Sequence, residues 1–181
     1  MSFRGAVIHF RTITKHRHKV IAHCAKAGIL GQGLLHDLSK YSIAEFSQGA
    51  KFSTGKRSPN EGERETYGYS IAWLHHKGRN RHHFEYWTDY DPKTKLIAPV
   101  KMPLKYVAEM FCDRVAASKI YQGKNYTDDK PLEYFLNAKA RRVIHPETSD
   151  FLEMLLRKLA EEGEEKTFRF LREYLRKNKN Y

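Results

Sequence analysis

Cysteine is scarce in this chain of 181 residues: only Cys24 and Cys112 occur. They are too few and too far apart for a disulfide framework or a paired-cysteine metal knuckle, which points to reduced, buried thiols. Long apolar runs are also missing. None approaches the roughly 20 residues that a membrane span needs, so a membrane partner is not expected. The opening stretch "MSFRGAVIHFRTITKHRH" is broken by charges and histidines. It therefore lacks the apolar segment of a secretory signal, and a cytoplasmic location is expected. Acidic residues are rare early on. Residues 1–60 carry ten Lys and Arg against only Asp37 and Glu45, a net of +8 within a total of +12. That imbalance suggests an anionic partner, either a phosphorylated small molecule or a nucleic acid. Internal repeats and low-complexity tracts are absent, and the length suits a single domain, 1–181, with one core.

What is present is mostly helical periodicity. Apolar residues recur at helical spacing from about Phe3 to Ala27, with Gly28 placed as a C-cap. Within this segment Ile13, His16, Val20, Cys24 and Ala27 share a stripe. Leu30, Leu34, Leu38 and Tyr41 predict a second short helix entering the core with Asp37. Ser42-Ile43-Ala44-Glu45 has the form of a capping box and predicts a third helix. The polar stretch 51–63 reads as a loop, and a further helix is expected from about Glu63 to Lys77 with Tyr69, Trp73 and His76 on one face. Residues 79–102 are loop-rich, with a small hairpin from Tyr86–Tyr90 and Leu96–Val100. Pro103 is expected at the first turn of a helix in which Tyr106, Met110, Asp113, Ala117 and Ile120 align. Pro131, Pro146 and the segment "EEKTFRFLREYLRKNKN" open the remaining helices. Leu152, Leu155, Leu156, Leu159, Phe168, Leu171 and Leu175 form packing stripes. The fold class is all-α, a compact bundle of about seven or eight helices.

Four polar residues lean inward on this reading: His16, His36, Asp37 and Asp113. A buried carboxylate without a partner costs several kcal/mol, and two facing one core raise each other's pKa. A divalent cation neutralises both and accepts neutral imidazoles as further ligands. Two histidines and two aspartates suit Mn, Fe, Co or Ni better than a closed structural zinc site, with zinc itself still open.

The order His16 … His36-Asp37 … Asp113 resembles the H…HD…D signature of the HD-domain superfamily of metal-dependent phosphohydrolases, in a histidine-rich, bacterial-type branch. Lys40 in "LLHDLSK" and the helical Asp113 in "EMFCDRVAASK" add to the likeness. It covers about residues 10–121 and makes 122–181 a helical extension. The spacing from His16 to His36 is short for the superfamily, and His18 is the alternative first ligand. The resemblance implies an HD-like bundle holding one or two divalent ions and a water-dependent attack on a phosphate ester.

"WLHHKGRNRHHFEYW" places His75, His76, His82 and His83 within nine residues. Some HD-domain proteins use two such histidines for a second metal, with the aspartate of the HD pair as bridge. His76 is the favoured inward member of its pair, with His82 or His83 as companion. On this reading Asp37, Lys40, His76 and His83 are the catalytic candidates, and Lys40, Arg79 and Arg81 contact substrate, with Glu85 flanking them. Two alternatives remain. One is a di-iron oxygenase of the same superfamily. The other is a non-catalytic nucleic-acid or nucleotide-binding module that stacks bases on "HHFEYWTDYD".

Overall fold

The computed structural model describes residues 2–55, 57–139 and 142–181. Helix α1 (Phe3–Ala27) starts at Ser2, whose Oγ accepts the Gly5 N–H, and stops at Gly28 in the left-handed region. It is followed by α2 (Leu30–Leu35), a 3-10 turn (Leu38–Tyr41), α3 (Ile43–Phe52), α4 (Pro59–Tyr67) and α5 (Ile71–Lys77). Strands β1 (Thr88–Asp91) and β2 (Leu96–Pro99) pair antiparallel, Thr88 opposite Pro99, as the only hairpin among the described residues. Three helices close the chain: α6 (Leu104–Gln122), α7 (Lys130–Ala138) and α8 (Pro146–Lys177). The expected all-α bundle of about seven or eight helices is present among the described residues as eight helices with one small hairpin. No helix described is long and apolar enough to cross a membrane.

Helix α6 runs through the middle. Leu104, Val107, Ala108, Met110, Phe111, Cys112, Val115 and Ala116 are all buried, so it is covered on nearly every side rather than along one stripe. Val20, Cys24 and Ala27 of α1 meet it from one side, and Leu152, Leu155, Leu156 and Leu159 of α8 from another. Phe135 of α7 and Phe168 and Leu171 of α8 join the same cluster. The C-terminal residues expected as an extension thus supply much of the core that holds α6 in place. Both cysteines are free and buried within it.

Several local expectations change. Leu30, Leu34 and Leu38 do not enter the core; they are 46–50 % exposed. Gly33 is the buried residue of α2, seated against Cys24 of α1 where a side chain would not fit. The helix expected from Glu63 to Lys77 is two helices. Gly68 adopts φ 80° and ends α4, and the buried Glu63 accepts from Ser70 Oγ and the Ile71 N–H, turning the chain into α5. Pro59 starts α4 within the segment expected as loop. Pro103 is the N-cap of α6 rather than its first turn. Tyr69 lies outside α5 and is exposed. The capping box does not form. Ser42 is the N-cap of α3 without a side-chain bond, and Glu45 turns to the histidines of α5 instead.

The packing of α1 on α3 depends on missing side chains. A methyl group at Gly5 would strike the Ala50 carbonyl oxygen, and Gly49 faces the His9 ring directly. Farther along, α8 breaks at Gly163 (φ 81°, ψ 170°), which presents Glu164 to Lys26 of α1 and Lys119 of α6. Burial works against that carboxylate's charge, but the two ammonium groups outweigh it and hold the pKa at about 2. His23 stacks on Phe168 beside it, and burial lowers its pKa to about 4, as it does for His9.

Gly5→Ala is expected to destabilise the protein by about 1–3 kcal/mol, because backbone cannot rotate out of the way. Urea titration of the variant checks it, and an unchanged midpoint would contradict the packing described. His9 and His23 predict acid sensitivity. Their folded pKa values near 4 lie below the ordinary 6.5, so between those limits the unfolded chain binds more protons. Stability is therefore complete above about pH 6.5 and falls as the pH drops towards 4. A melting temperature several degrees lower at pH 5 than at pH 7 is expected, with part of the difference removed in a His9→Gln, His23→Gln double variant.

Candidate metal centre

The backbone around the His-Asp pair explains why these residues point inward. Helix α2 stops at Leu35, His36 takes ψ 129°, and Asp37 adopts the left-handed region at φ 55°. Aspartate is one of the few residues with a side chain that tolerates this conformation. The turn drives both side chains under α1, while the leucines before and after them stay outside. Arg17 of α1 fastens the turn by donating to the carbonyls of His36 and Leu34.

Three groups of candidate ligand atoms gather there, one of them His36, His82 and Glu109, and the other two meet at Asp37. His16, His36, Asp37 and Asp113 form one, and Asp37, His76, His82 and His83 the other; the atoms of each set lie within 4.8 Å of one another. Asp37 belongs to both, and its two oxygens divide between them. Oδ2 lies 3.3 Å from His36 Nε2 and 3.7 Å from His16 Nε2. Oδ1 lies 3.2 Å from His76 Nε2 and 3.5 Å from His82 Nε2. Asp113 Oδ1 completes the first set at 3.0 Å from His16 Nε2 and 3.7 Å from His36 Nε2. In the second, His76 and His83 bring their Nε2 atoms to 2.9 Å.

Two glutamates set the tautomers of this cluster. Glu109 Oε1 accepts from Nδ1 of both His36 (2.9 Å) and His82 (3.2 Å). Glu45 accepts from Nδ1 of His76 at 2.8 Å and of His75 at 2.7 Å. A carboxylate can only accept, so Nδ1 carries the proton and the Nε2 lone pair of a neutral ring faces the centre. Gln32 donates to Glu109, and Asn80 donates to the His76 carbonyl and to Ser39.

Those lone pairs and carboxylate oxygens point at one another. Nε2 of His16, His36 and His82 and Oδ1 of Asp37 are buried without a hydrogen-bond partner. Electrostatics express the same tension. Burial opposes charge on His36 and His76, yet Asp37 beside them outweighs it and raises both pKa values. Burial likewise disfavours the charged Asp37 and Asp113, but histidines, with Lys40 for Asp37, hold both well below the carboxylate range. Glu109 is held at about 2 by His36 and His82 against its burial. His16, His82 and His83 are pushed down, foremost by burial. Ionised carboxylates and neutral imidazoles are the states in which these groups ligate metals, and a divalent ion would take over the compensation of negative charge that Asp37 otherwise draws from protons on His36 and His76. The residues therefore fit one or two divalent ions.

The remaining candidates divide clearly. Lys40 Nζ pairs with Asp37 Oδ2 at 2.5 Å, and its side chain is 30 % exposed at the rim. His18 faces outward, which leaves His16 as the α1 ligand candidate. His75 stops at Glu45, outside both ligand sets, whereas His82 and His83 both enter the second, not one of the two. Arg79 donates to the His75 carbonyl. Arg81 donates to the Tyr106 hydroxyl and sits over the Tyr86 and Tyr106 rings. Neither arginine is turned into the cluster. Sequence reasoning missed Glu109 and Glu45. Glu109 lies one helical turn before Asp113 on the same face of α6, a signal that was available; Glu45 was hidden by its resemblance to a capping residue.

Residues 6–158 match DUF5662, a family of unknown function. The chain belongs to that family. The match spans both ligand sets and the two glutamates behind them. Comparison with curated proteins and with solved structures found no match for this DUF5662 protein.

Glu109→Ala in this DUF5662 protein is expected to weaken divalent-metal affinity about 10–100-fold without deleting a ligand, since second partners of ligating histidines have effects of that size. Calorimetric titration with Mn²⁺ measures it, with His18→Ala as a control expected to match wild type. An unaltered affinity in Glu109→Ala would show that the glutamate does not orient the rings.

Proposed function

We propose that this protein is a metal-dependent phosphohydrolase of the HD type, in which Asp37 would help to hold two divalent ions. The observation that carries this reading is the division of the Asp37 oxygens, one facing each ligand set. Sites with two metals roughly 3.5–4 Å apart clamp the attacking and leaving oxygens of a phosphoryl displacement. His16, His36, Asp37 and Asp113 would hold one ion, and Asp37, His76, His82 and His83 the other. Bound ions supply Lewis acidity, bringing the pKa of a water from 15.7 towards about 7.

The chain's own residues do the rest. Glu109 and Glu45 keep the imidazole lone pairs aimed at the centre. Lys40, at the rim, offers its ammonium as a point charge to a phosphate oxygen. His83 is held neutral first by burial and then by His82 and His76, which leaves its ring the lone pair that a ligand of the second ion would need. The surplus of +8 in residues 1–60 favours the approach of a phosphorylated substrate. A cytoplasmic setting accords with the two free buried thiols.

One observation favours a second reading. The second set offers three imidazoles and one carboxylate, a donor set that also suits iron, so a di-iron oxygenase is the alternative.

Elemental analysis is expected to find about two divalent ions per chain, and Asp37→Asn, which keeps the left-handed turn, is expected to lose both. Lys40→Ala should retain them while kcat/KM for phosphate esters falls about tenfold or more. Turnover of phosphate esters with Mn²⁺ under anaerobic conditions supports hydrolysis. A strict requirement for ferrous iron and dioxygen would replace it with the oxygenase reading. Full metal content in Asp37→Asn would overturn both.

A further inference from the structure

The outer surface of α1, α2 and the 3-10 turn joins two properties that a merely solvated face does not need. Its charges have one sign. The only acids in residues 1–60, Asp37 and Glu45, are buried at the ligand cluster, so the charges these elements present to solvent are all basic. Arg11, Lys15 and Lys19 succeed one another by single turns of α1 and form no ion pair among the described residues. The same surface is also apolar. Leu34, Leu35 and Leu38 are exposed, Leu35 to 71 %, and Phe10 and Tyr41 are exposed with them.

Contacts between the elements join these groups into one face. The rings of Phe10 and Tyr41 lie 6.0 Å apart, and Thr14 Oγ1 shares a 2.9 Å hydrogen bond with the Tyr41 hydroxyl. Leu38 and Tyr41, three residues apart in the 3-10 turn, project in the same direction. Arg17, one turn beyond Thr14, donates to the Leu34 carbonyl, so α2 lies along the same flank of α1. Phe10 and Thr14 in turn border one shallow, open surface with Arg11, Lys15 and Lys19. The apolar strip and the basic strip therefore run side by side.

We infer that this face adsorbs to the surface of an anionic phospholipid bilayer. Its apolar side chains enter the boundary between headgroups and acyl chains, and its basic strip meets the lipid phosphates. Charge complementarity selects this occupant. A second copy packed about a two-fold axis would bring the basic strip up against itself. A nucleic acid offers phosphates but nothing for protruding leucines. A partner helix lies in a groove, whereas this face is open and its leucines stand outside it. No described helix is long and apolar enough to cross a bilayer, and adsorption does not require one. The inference goes beyond the proposed reaction and holds whatever chemistry the metal centre performs.

The test is flotation of the full chain with vesicles of phosphatidylcholine, alone or with about a third phosphatidylserine. Wild type is expected to float with the anionic vesicles and hardly at all with the neutral ones. The combined variant Arg11→Gln, Lys15→Gln, Lys19→Gln is expected to bind about tenfold more weakly or worse, since each basic group near such a surface contributes about fivefold. Leu35→Ser is expected to weaken binding several-fold while keeping the wild-type charge and the wild-type affinity for Mn²⁺. Failure of wild type to float with anionic vesicles overturns the inference. So does binding that survives both variants, which would move the lipid contact elsewhere on the chain. A loss in the charge variant with none in Leu35→Ser would replace the bilayer with a purely anionic partner such as a nucleic acid. Concentration-dependent dimers that Leu35→Ser dissolves, without flotation, would make the face a contact between copies.

Discussion

A carboxylate removed from water needs positive charge on each side that it faces, and Asp37, at 2 % exposure, faces two groups at once. Its Oδ2 looks towards α1 and α6, its Oδ1 towards α5 and the loop beyond it. Much of the surrounding architecture follows from that demand. Helix α1 brings His16, α5 brings His76, the turn before the hairpin brings His82 and His83, and α6 brings Asp113 together with the glutamate that steadies two of the rings. Apart from α5 and the turn that follows it, these segments are far from one another in the chain. They are held together by the apolar packing around α6, to which the leucines of α8 contribute.

The sequence revealed the participants better than it revealed their surroundings. His16, His36, Asp37 and Asp113 were legible because each broke a stripe or run that otherwise read as apolar, and the histidine-rich segment announced itself by density. The helix count and the hairpin were legible from periodicity and turn residues. The turn at Asp37 was not. Leu30, Leu34 and Leu38 suggested a helix entering the core, whereas the left-handed Asp37 turns the chain and those leucines stay outside. Tertiary contacts also overrode local pattern at Glu45, where two histidines 30 and 31 residues away compete successfully with a helix cap. Long-range pairing of this kind leaves no periodic trace.

The glutamates divide the labour in an asymmetric way. Glu45 serves His76 and His75, both from α5, so it acts within one corner of the cluster. Glu109 uses one oxygen for His36 and His82, which belong to different ligand sets. Because Glu109 and Asp113 are a single turn apart, α6 acts as the common strut: any slip of that helix disturbs both sets together. The burial of α6 on nearly every side is consistent with a part that must not move.

The conformation of Asp37 narrows what can stand at that position. The left-handed backbone admits glycine, asparagine and aspartate with ease, and the two imidazole-lined sides each call for a carboxylate oxygen. Glutamate keeps the charge but resists the turn, and asparagine keeps the turn but forfeits the charge. Aspartate alone meets both demands, so one side chain ties the path of the backbone to the polarity of the cluster.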